Sequence, residues 1–221
     1  MTKFLGLDFD TTKDTFIPRP ETELLVKVCL DTVRHCAGSA YILDIGTGTG
    51  NIAVSLTKMD KTCKIVALDE SEGALAVARE NARRFGVSDR IEFIQSNLYS
   101  NLHGCHCEER RRRDEAISFD IIVSNPPYIP AWEIATLAGH VKKEPRIALD
   151  GGDNGLDFYK MIIDGAPQVL KKRGYLIMEM GYNQSHYIKK ILRESGSFAD
   201  VETFKDFSNI ERVIKAQWIN S

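Results

Sequence analysis

The chain alternates short, apolar, β-rich runs with stretches of helical pattern, and this alternation constrains its fold more than any other feature. The apolar runs are YILDI (41–45), KIVAL (64–68), IEFI (91–94), FDIIV (119–123) and YLIMEM (175–180). Strands that alternate with helices are typical of a parallel sheet that is covered by helices on both faces. The sequence therefore predicts an α/β domain built on a mostly parallel sheet.

A crossover helix and a terminal hairpin extend this prediction. Ser71 can cap a helix that runs to Phe85 with apolar residues on one face, and Gly86 can end it. Near the C-terminus, VETFKDF (201–207) and RVIKAQW (212–218) are two strand candidates separated by a short turn. They predict an antiparallel hairpin appended to the parallel strands, which gives seven strands in all.

Composition narrows the class of protein. The 221 residues are 43% hydrophobic and 27% charged, which is ordinary for a globular domain. A net charge of −2 gives no general attraction to nucleic acid, so none is expected as a direct partner. No apolar run approaches the roughly 20 residues of a membrane span. The N-terminus lacks a secretion signal, and the five scattered cysteines favour free thiols, so a cytoplasmic location is expected.

Residues 101–117, NLHGCHCEERRRRDEAI, do not fit the alternating pattern and are interpreted as a surface insertion. Their histidines and cysteines lack the paired, separated spacing of structural zinc ligands, so no metal site is predicted. Acidic residues flank the four arginines on both sides, which argues against a basic patch for nucleic acid.

A glycine-rich loop follows the first of these strands. Its three glycines leave the turn without side chains, so a cofactor can approach the backbone closely. The spacing is G-x-G-x-G and not the dinucleotide pattern G-x-G-x-x-G, and no phosphate-binding lysine accompanies it. Asp69 ends the next strand, where a carboxylate can accept hydrogen bonds from ribose hydroxyls. A glycine loop lined by carboxylates favours S-adenosylmethionine, a cation that carries no phosphate. The alternative is a glycine-rich turn that binds no ligand. The predicted loop residues are Asp44, Gly46, Thr47, Gly48, Thr49 and Gly50.

The strand FDIIV runs directly into the tetrapeptide NPPY, at the edge of the sheet where such folds bind ligands. The Asn125 side chain and the Pro126 carbonyl offer two fixed acceptors for a substrate NH₂ group, and Tyr128 can stack on the planar group that carries it. Because the lone pair of such a nitrogen is delocalised, two acceptors on its protons can aim it at an electrophilic methyl. A Pro-Pro turn that merely ends a strand is the alternative. The predicted catalytic residues are Asn125, Pro126, Pro127 and Tyr128.

These motifs resemble class I S-adenosylmethionine-dependent methyltransferases with an NPPY motif, and especially the HemK/PrmC-type protein-glutamine methyltransferases. Those enzymes methylate the side-chain amide of the glutamine in the GGQ motif of peptide chain release factors. The resemblance covers nearly the whole chain outside 101–117. It rests on IPRPETELLV (17–26), LDIGTGTGNIA (43–53), VSNPPYIP (123–130), EPRIALDGGDNGLDFY (144–159), MEMGYNQ (178–184) and KDFSNIERV (205–213).

The resemblance implies a Rossmann-like fold, S-adenosylmethionine as cofactor with S-adenosylhomocysteine as product, and a release factor as protein substrate. It assigns cofactor binding to the glycine loop, Asp69, Asn97, Leu98 and Asn125. Family members commonly carry an acid where Asn97 stands, so an altered cofactor affinity is expected. Substrate binding is assigned to Pro18, Arg19, Asn125, Pro126, Pro127 and Tyr128. Simpler roles remain open: Arg19 and Glu21 can cap the first helix, and Gly151, Gly152 and Gly155 can build a turn.

The resemblance also shapes the expected domain organisation. Residues 1–30 are interpreted as an N-terminal hairpin or linker and first helix that carries PRPETE, and residues 31–221 as the methyltransferase domain. Bacterial family members carry a helical N-terminal domain that this sequence does not show, so a helper protein is a further expected partner. Three alternatives stay open: an amino-methyltransferase for adenine or cytosine in nucleic acid, a ribosomal-protein glutamine methyltransferase, and a non-catalytic cofactor-binding module.

Overall fold

A twisted, mostly parallel sheet forms the centre of the molecule. The computed structural model describes residues 1–36, 38–102 and 118–219. Its strands are β1 (Thr2–Phe4), β2 (Leu7–Phe9), β3 (Tyr41–Ile45), β4 (Lys64–Asp69), β5 (Ile91–Gln95), β6 (Phe119–Ser124), β7 (Leu170–Glu179), β8 (Phe198–Lys205) and β9 (Glu211–Trp218). Its helices are α1 (Thr22–Val33), α2 (Asn51–Met59), α3 (Glu72–Phe85), α4 (Asp157–Gly165) and α5 (Ser185–Ser195).

Seven strands pair in the order β5-β4-β3-β6-β7-β9-β8. The strands β3 to β7 run parallel to their neighbours, whereas β9 is antiparallel to both β7 and β8. Helices cover both faces: α1, α2 and part of α3 bury apolar residues in one core, and α4 and α5 bury theirs in the other. The predicted α/β architecture, with its C-terminal antiparallel hairpin, is confirmed.

The predicted crossover helix is confirmed at both ends. The Ser71 hydroxyl accepts a hydrogen bond from the Ala74 amide at 3.2 Å, which satisfies one of the free amides of the first turn. Gly86 adopts a φ of 68°, a left-handed conformation that glycine reaches without a steric penalty, and it ends the helix.

Two strand boundaries differ from the prediction. The strand β7 begins at Leu170, five residues before the apolar run, because the Lys171 ammonium binds the Asp120 carboxylate at 2.8 and 2.7 Å and holds a polar segment in the sheet. The strand β8 lies earlier than predicted and ends before Asp206. The Asp206 carboxylate accepts the amides of Ser208 at 2.9 Å and Ile210 at 3.1 Å, so the chain turns there.

Strand order determines where a ligand site can form. The chain proceeds from β3 outward to β4 and β5, then returns to place β6 on the other side of β3. The carboxyl ends of β3 and β6 therefore flank the point where strand order reverses, which is the usual ligand crevice of such sheets. The Ser124 hydroxyl fastens the two ends together by donating to the Ile45 carbonyl at 2.8 Å.

The N-terminal hairpin, β1 and β2, packs into the same core as α1 through the buried rings of Phe4 and Phe9. The Asn81 side chain ties this segment to α3, since it accepts from the Asp10 amide at 2.9 Å and donates to the Asp10 carbonyl at 3.1 Å. The predicted boundary between residues 1–30 and the methyltransferase domain at 31–221 stays a prediction.

Residues 103–117, most of the predicted insertion, lie outside the described residues. No helix in the described part of the chain combines the length and apolarity that crossing a membrane requires.

Candidate active site

A cavity opens where the carboxyl ends of β3 and β6 meet. Its walls come from the glycine loop, the end of β4, the segments after β5 and β6, residues 14–16, Pro18 and Thr22, and residues 145 and 147–149. Three acidic residues line it, Asp14, Asp69 and Glu70. Among the described residues no lysine, arginine or histidine side chain does so. This charge distribution suits a cationic ligand and disfavours a phosphate.

The glycine loop forms the floor of the cavity because its backbone adopts conformations that side chains disfavour. The φ angles of Gly46, Gly48 and Gly50 are 73°, 56° and 77°. A Cβ atom on Gly50 would also lie 3.1 Å from the Ala78 Cβ, so a glycine there lets α2 start close to α3. The loop exposes backbone to the cavity, as predicted from its sequence.

Asp69 lies at the end of β4 and lines the cavity, as predicted. One carboxylate oxygen accepts the Gly48 amide at 2.8 Å and the other accepts the Ser71 amide at 2.9 Å. Burial raises the pKa of this carboxyl, and the two amides act in the opposite direction. Each oxygen of a carboxylate can accept more than one hydrogen bond, so Asp69 retains capacity for ribose hydroxyls.

Asp44 is placed differently from the prediction. It is fully buried beneath the loop and does not line the cavity, and its carboxylate accepts the Thr47 hydroxyl at 2.7 Å. Burial raises the pKa of Asp44 to about 7, although the Thr47 hydrogen bond lowers it. Its Oδ1 accepts no hydrogen bond from a described residue, although the Ala53 amide lies near enough to lower the pKa. Asp44 therefore supports the loop from below, and direct contact with a cation stays a prediction.

Asn97 and Leu98, which follow β5, both line the cavity. Leu98 has a φ of 48°, an unusual conformation for leucine, and the Ser96 hydroxyl stabilises the turn by donating to the Leu98 carbonyl at 2.8 Å. The two residues predicted to bind the cofactor after β5 are thus held in a defined turn that lines the cavity.

The tetrapeptide Asn125 to Tyr128 lines the opposite wall, directly after β6. The Asn125 amide nitrogen donates to the Thr22 hydroxyl at 3.3 Å, and its Oδ1 is buried without a hydrogen-bond partner among the described residues. The Pro126 carbonyl likewise accepts no hydrogen bond from that part of the chain. The two acceptors predicted from the sequence are therefore present and unpaired. For Asn125 Oδ1, which is buried, this is costly unless a ligand completes it.

Gln184 holds the tetrapeptide in place. Its side-chain nitrogen donates to the Tyr128 carbonyl at 2.9 Å and to the Gly155 carbonyl at 3.2 Å, and its oxygen accepts the Gly181 amide at 3.0 Å. The glycine turn packs against the same backbone, because a Cβ on Gly151 would lie 2.8 Å from the Tyr128 Cα. These glycines do build a turn, and that turn supports the NPPY segment.

The two substrate residues predicted from PRPETE separate in the structure. Pro18 lines the cavity. Arg19 does not line it: its guanidinium forms an ion pair with Glu144 and lies 4.7 Å from the centre of the Phe16 ring. Glu21 stands at the start of α1 but makes no side-chain capping hydrogen bond, so the capping alternative fails for that residue.

Sequence reasoning missed several residues that shape the site. The Asn81 side chain donates to the Thr49 carbonyl at 2.9 Å and thereby links the glycine loop to the N-terminal segment. Thr22 is buried and lines the cavity beside Asn125, and Glu179 and Gln184 are buried or half-buried next to the NPPY segment. Thr22 belongs to PRPETE, and Glu179 and Gln184 belong to MEMGYNQ, so the motifs were visible although the roles were not. No group of three or more potential metal ligands occurs in the described parts of the chain.

Comparisons with known proteins agree with this geometry. A family model described as a methyltransferase domain matches residues 38–216. A release factor glutamine methyltransferase from Geobacter sulfurreducens is 39% identical over 213 residues, covering 96% of this chain and 69% of that protein. A release factor glutamine methyltransferase from Moorella thermoacetica is 36% identical over 214 residues, covering 97% of this chain and 71% of that protein.

Solved structures support the same fold at much lower identity. The hMettl16 catalytic domain, solved in complex with the MAT2A 3'UTR hairpin 6, superposes with a TM-score of 0.72 at 19% identity, covering 97% of this chain and 76% of that one. A methyltransferase from Pyrococcus furiosus gives a TM-score of 0.64 at 17% identity, covering 98% and 91%. Fold, glycine loop, NPPY segment and the 36–39% identity to the two bacterial relatives together show that this chain belongs to the release factor glutamine methyltransferase family.

Proposed function

We propose that this protein transfers a methyl group from S-adenosylmethionine to the side-chain amide nitrogen of a glutamine, in the GGQ motif of a peptide chain release factor. The observation that carries the proposal is the pairing of two features across one cavity. One wall offers unpaired acceptors at Asn125 and Pro126, and the other carries carboxylates without a basic side chain among the described residues. Membership of the family supplies the substrate class.

The cavity residues fit the cofactor. The glycine loop admits it close to the backbone, Asp69 accepts ribose hydroxyls, and Asn97 and Leu98 contact the adenine. Carboxylates around the cavity favour its positive charge, and S-adenosylmethionine supplies an electrophilic methyl group when bound. The absence of basic groups from the described lining is the structural reason to prefer it over a phosphate-bearing nucleotide.

The NPPY residues act on the substrate amide. Asn125 Oδ1 and the Pro126 carbonyl accept the two amide protons, which orients the nitrogen lone pair toward the methyl donor. Pro127 stiffens the backbone that follows the Pro126 carbonyl, and Tyr128 packs its ring on the amide plane. This contribution is one of positioning and electrostatics and requires no separate base before transfer, because the departing proton can leave afterwards.

Partner and location follow from the same proposal. A release factor is the protein substrate, Pro18 and Arg19 belong to its docking edge, and a helper protein contributes to the grip on it. The net charge of −2 supports a protein substrate over nucleic acid. Translation factors work in the cytoplasm, so we place this protein there, with residues 1–30 as the substrate-facing segment and 31–221 as the catalytic domain.

Methyl transfer from labelled S-adenosylmethionine tests the proposal. The wild-type protein is incubated with purified release factor, with the same factor carrying alanine for the GGQ glutamine, and with oligonucleotides at low salt. We expect label on the unmodified factor alone, and loss of that label with Asn125→Ala.

Asp69→Asn should weaken cofactor binding in calorimetry, whereas Asp31→Asn, whose carboxylate is exposed on α1, should not. Label on the oligonucleotide, or on the alanine-substituted factor, would contradict the proposed substrate. In a parallel incubation with ribosomal proteins, label on one of them in place of the release factor would do so as well.

A further inference from the structure

Thr22 and Glu179 lie next to Asn125 in an arrangement that the transfer of the methyl group does not by itself explain. The strands β6 and β7 pair Ser124 with Met178. Asn125 directly follows the end of β6, and Glu179 follows Met178 as the last residue of β7. Thr22, the first residue of α1, hydrogen-bonds to Asn125 and lies against Glu179. The three residues therefore form one cluster at the wall of the cavity that Thr22 and Asn125 line.

Burial makes the hydrogen bonds of this cluster consequential. Thr22 and Glu179 are each 1% exposed. The Asn125 nitrogen donates to the Thr22 hydroxyl at 3.3 Å, which leaves Asn125 Oδ1 as the unpaired atom. Glu179 Oε2 accepts no hydrogen bond from the described residues, so its carboxyl has room for another donor. A buried carboxylate can only accept hydrogen bonds, whereas a hydroxyl has a single proton to give.

We propose that Thr22 and Glu179 form a relay that fixes the orientation of the Asn125 amide, with the Thr22 hydroxyl giving its proton to Glu179 and accepting the Asn125 NH₂. Once the hydroxyl proton is committed to Glu179, only the nitrogen end of the Asn125 amide can face Thr22. The oxygen end must then face the substrate. Thr22 and Glu179 are positioning residues, and the inference rests on the proposed function for its substrate.

The opposite orientation would be unproductive. If Thr22 instead donated to Asn125 Oδ1, the Asn125 NH₂ would face the substrate NH₂, and two donors would meet without an acceptor. A protonated Glu179 permits that reversal, because the acid can donate to Thr22 and free the hydroxyl proton for Asn125. The relay therefore holds while Glu179 is ionised and relaxes when it takes up a proton.

The surroundings of Glu179 place this change near neutral pH. Burial raises the pKa of Glu179 to about 7, Thr22 and Arg212 act to lower it, and Glu21 raises it. Burial raises the pKa of the Tyr128 and Tyr159 phenols, and the charge of the nearby Glu179 carboxylate raises it further. Methyl transfer should consequently increase with pH through this range.

Three variants test the relay. Thr22→Val keeps the shape of the side chain and removes its hydroxyl, Thr22→Ser restores the hydroxyl, and Glu179→Gln retains an acceptor without a titrating charge. We expect kcat to fall about tenfold in Thr22→Val and to stay within about twofold of wild type in Thr22→Ser. The KM for S-adenosylmethionine should stay within about twofold in both. In Glu179→Gln the acidic limb of the kcat profile should disappear.

A second readout requires no turnover. The ¹⁵N–¹H signals of the Asn125 side-chain amide, assigned by their absence in Asn125→Asp, should shift with pH near neutrality in the wild type and not in Glu179→Gln. Amide proton exchange should accelerate about tenfold in Thr22→Val and not in Thr22→Ser. If the wild type methylates no release factor, the proposed function fails while this spectrum still decides the relay. Unchanged Asn125 signals and exchange in Thr22→Val, or an acidic limb and a pH shift that persist in Glu179→Gln, would overturn it.

Discussion

Asp44→Asn should remove part of the pH dependence of folding stability. Asp44 lies fully buried beneath the glycine loop, and burial raises its pKa from 3.8 to about 7. The folded state therefore holds a proton that the unfolded state has already released. The stability that this group contributes is fully present below about 3.8 and is lost as pH rises to about 7.

The size of the effect follows from the difference in proton affinity. Between about pH 5 and about pH 8, a carboxyl with these two pKa values removes about 2.5 kcal/mol of unfolding free energy, because ionising it in the folded state leaves a charge without water. Asparagine has no charge to ionise and keeps an acceptor for the Thr47 hydroxyl. The variant should therefore lose about 2.5 kcal/mol less than the wild type over that pH interval.

Urea denaturation without cofactor, at several pH values in that interval, measures this difference. Titrating groups that do not interact with Asp44 contribute equally in the two proteins, so their contribution cancels when the unfolding free energies are subtracted. Asp31→Asn, at an exposed carboxylate, is the matched control and should follow the wild-type curve. If Asp44→Asn and the wild type lose stability in parallel, Asp44 is ionised in the folded protein across the whole interval, and the reasoning from burial is wrong.

Two further predictions concern the walls of the cavity. Gly155→Ala should destabilise the protein by about 2–3 kcal/mol and reduce methyl transfer in the same assay, because the position has a φ of 69° and a Cβ there would overlap the Tyr128 carbonyl. Gly86→Ala, with a φ of 68° and open space around it, should cost only about 1 kcal/mol in urea denaturation; equal costs would refute a role for the overlap. Arg19→Ala should raise the KM for release factor several-fold and leave cofactor binding unchanged, because Arg19 stabilises the edge of the cavity through its ion pair with Glu144. A weaker calorimetric affinity for the cofactor would show that Arg19 supports the cofactor site, and would contradict its assignment to the substrate edge.

The architecture could be predicted because its signals are local. Each strand of the parallel sheet is a short apolar run, and α3 carries its own start and stop residues in Ser71 and Gly86. The glycine loop and the NPPY segment follow strands directly, so predicting the strands also placed both segments at the carboxyl edge of the sheet. The boundaries of β7 and β8 were wrong where polar residues determined them, as Lys171 does through its ion pair with Asp120.

The long-range hydrogen bonds that hold the site residues in place could not be predicted in the same way. Gln184 contacts Tyr128 and Gly155 across 56 and 29 residues of sequence, and Asn125 meets Thr22 across 103. Periodicity and spacing in the sequence do not predict such contacts, because the contacts form only when elements distant in sequence reach the same edge of the sheet. The assignments of cofactor and substrate contacts to individual residues stay predictions until a ligand is bound.

By itself, the sequence determined the fold class, the position of the ligand crevice and the residues that present backbone and acceptors to it. Tertiary structure alone decided that Asp44 lies beneath the loop and not in the cavity, that Arg19 pairs with Glu144, and that Asn125 keeps its oxygen unpaired. The physical reason is that local patterns fix which face of a strand or helix is buried. Burial, charge and hydrogen-bond partners at a site depend instead on which elements pack together there.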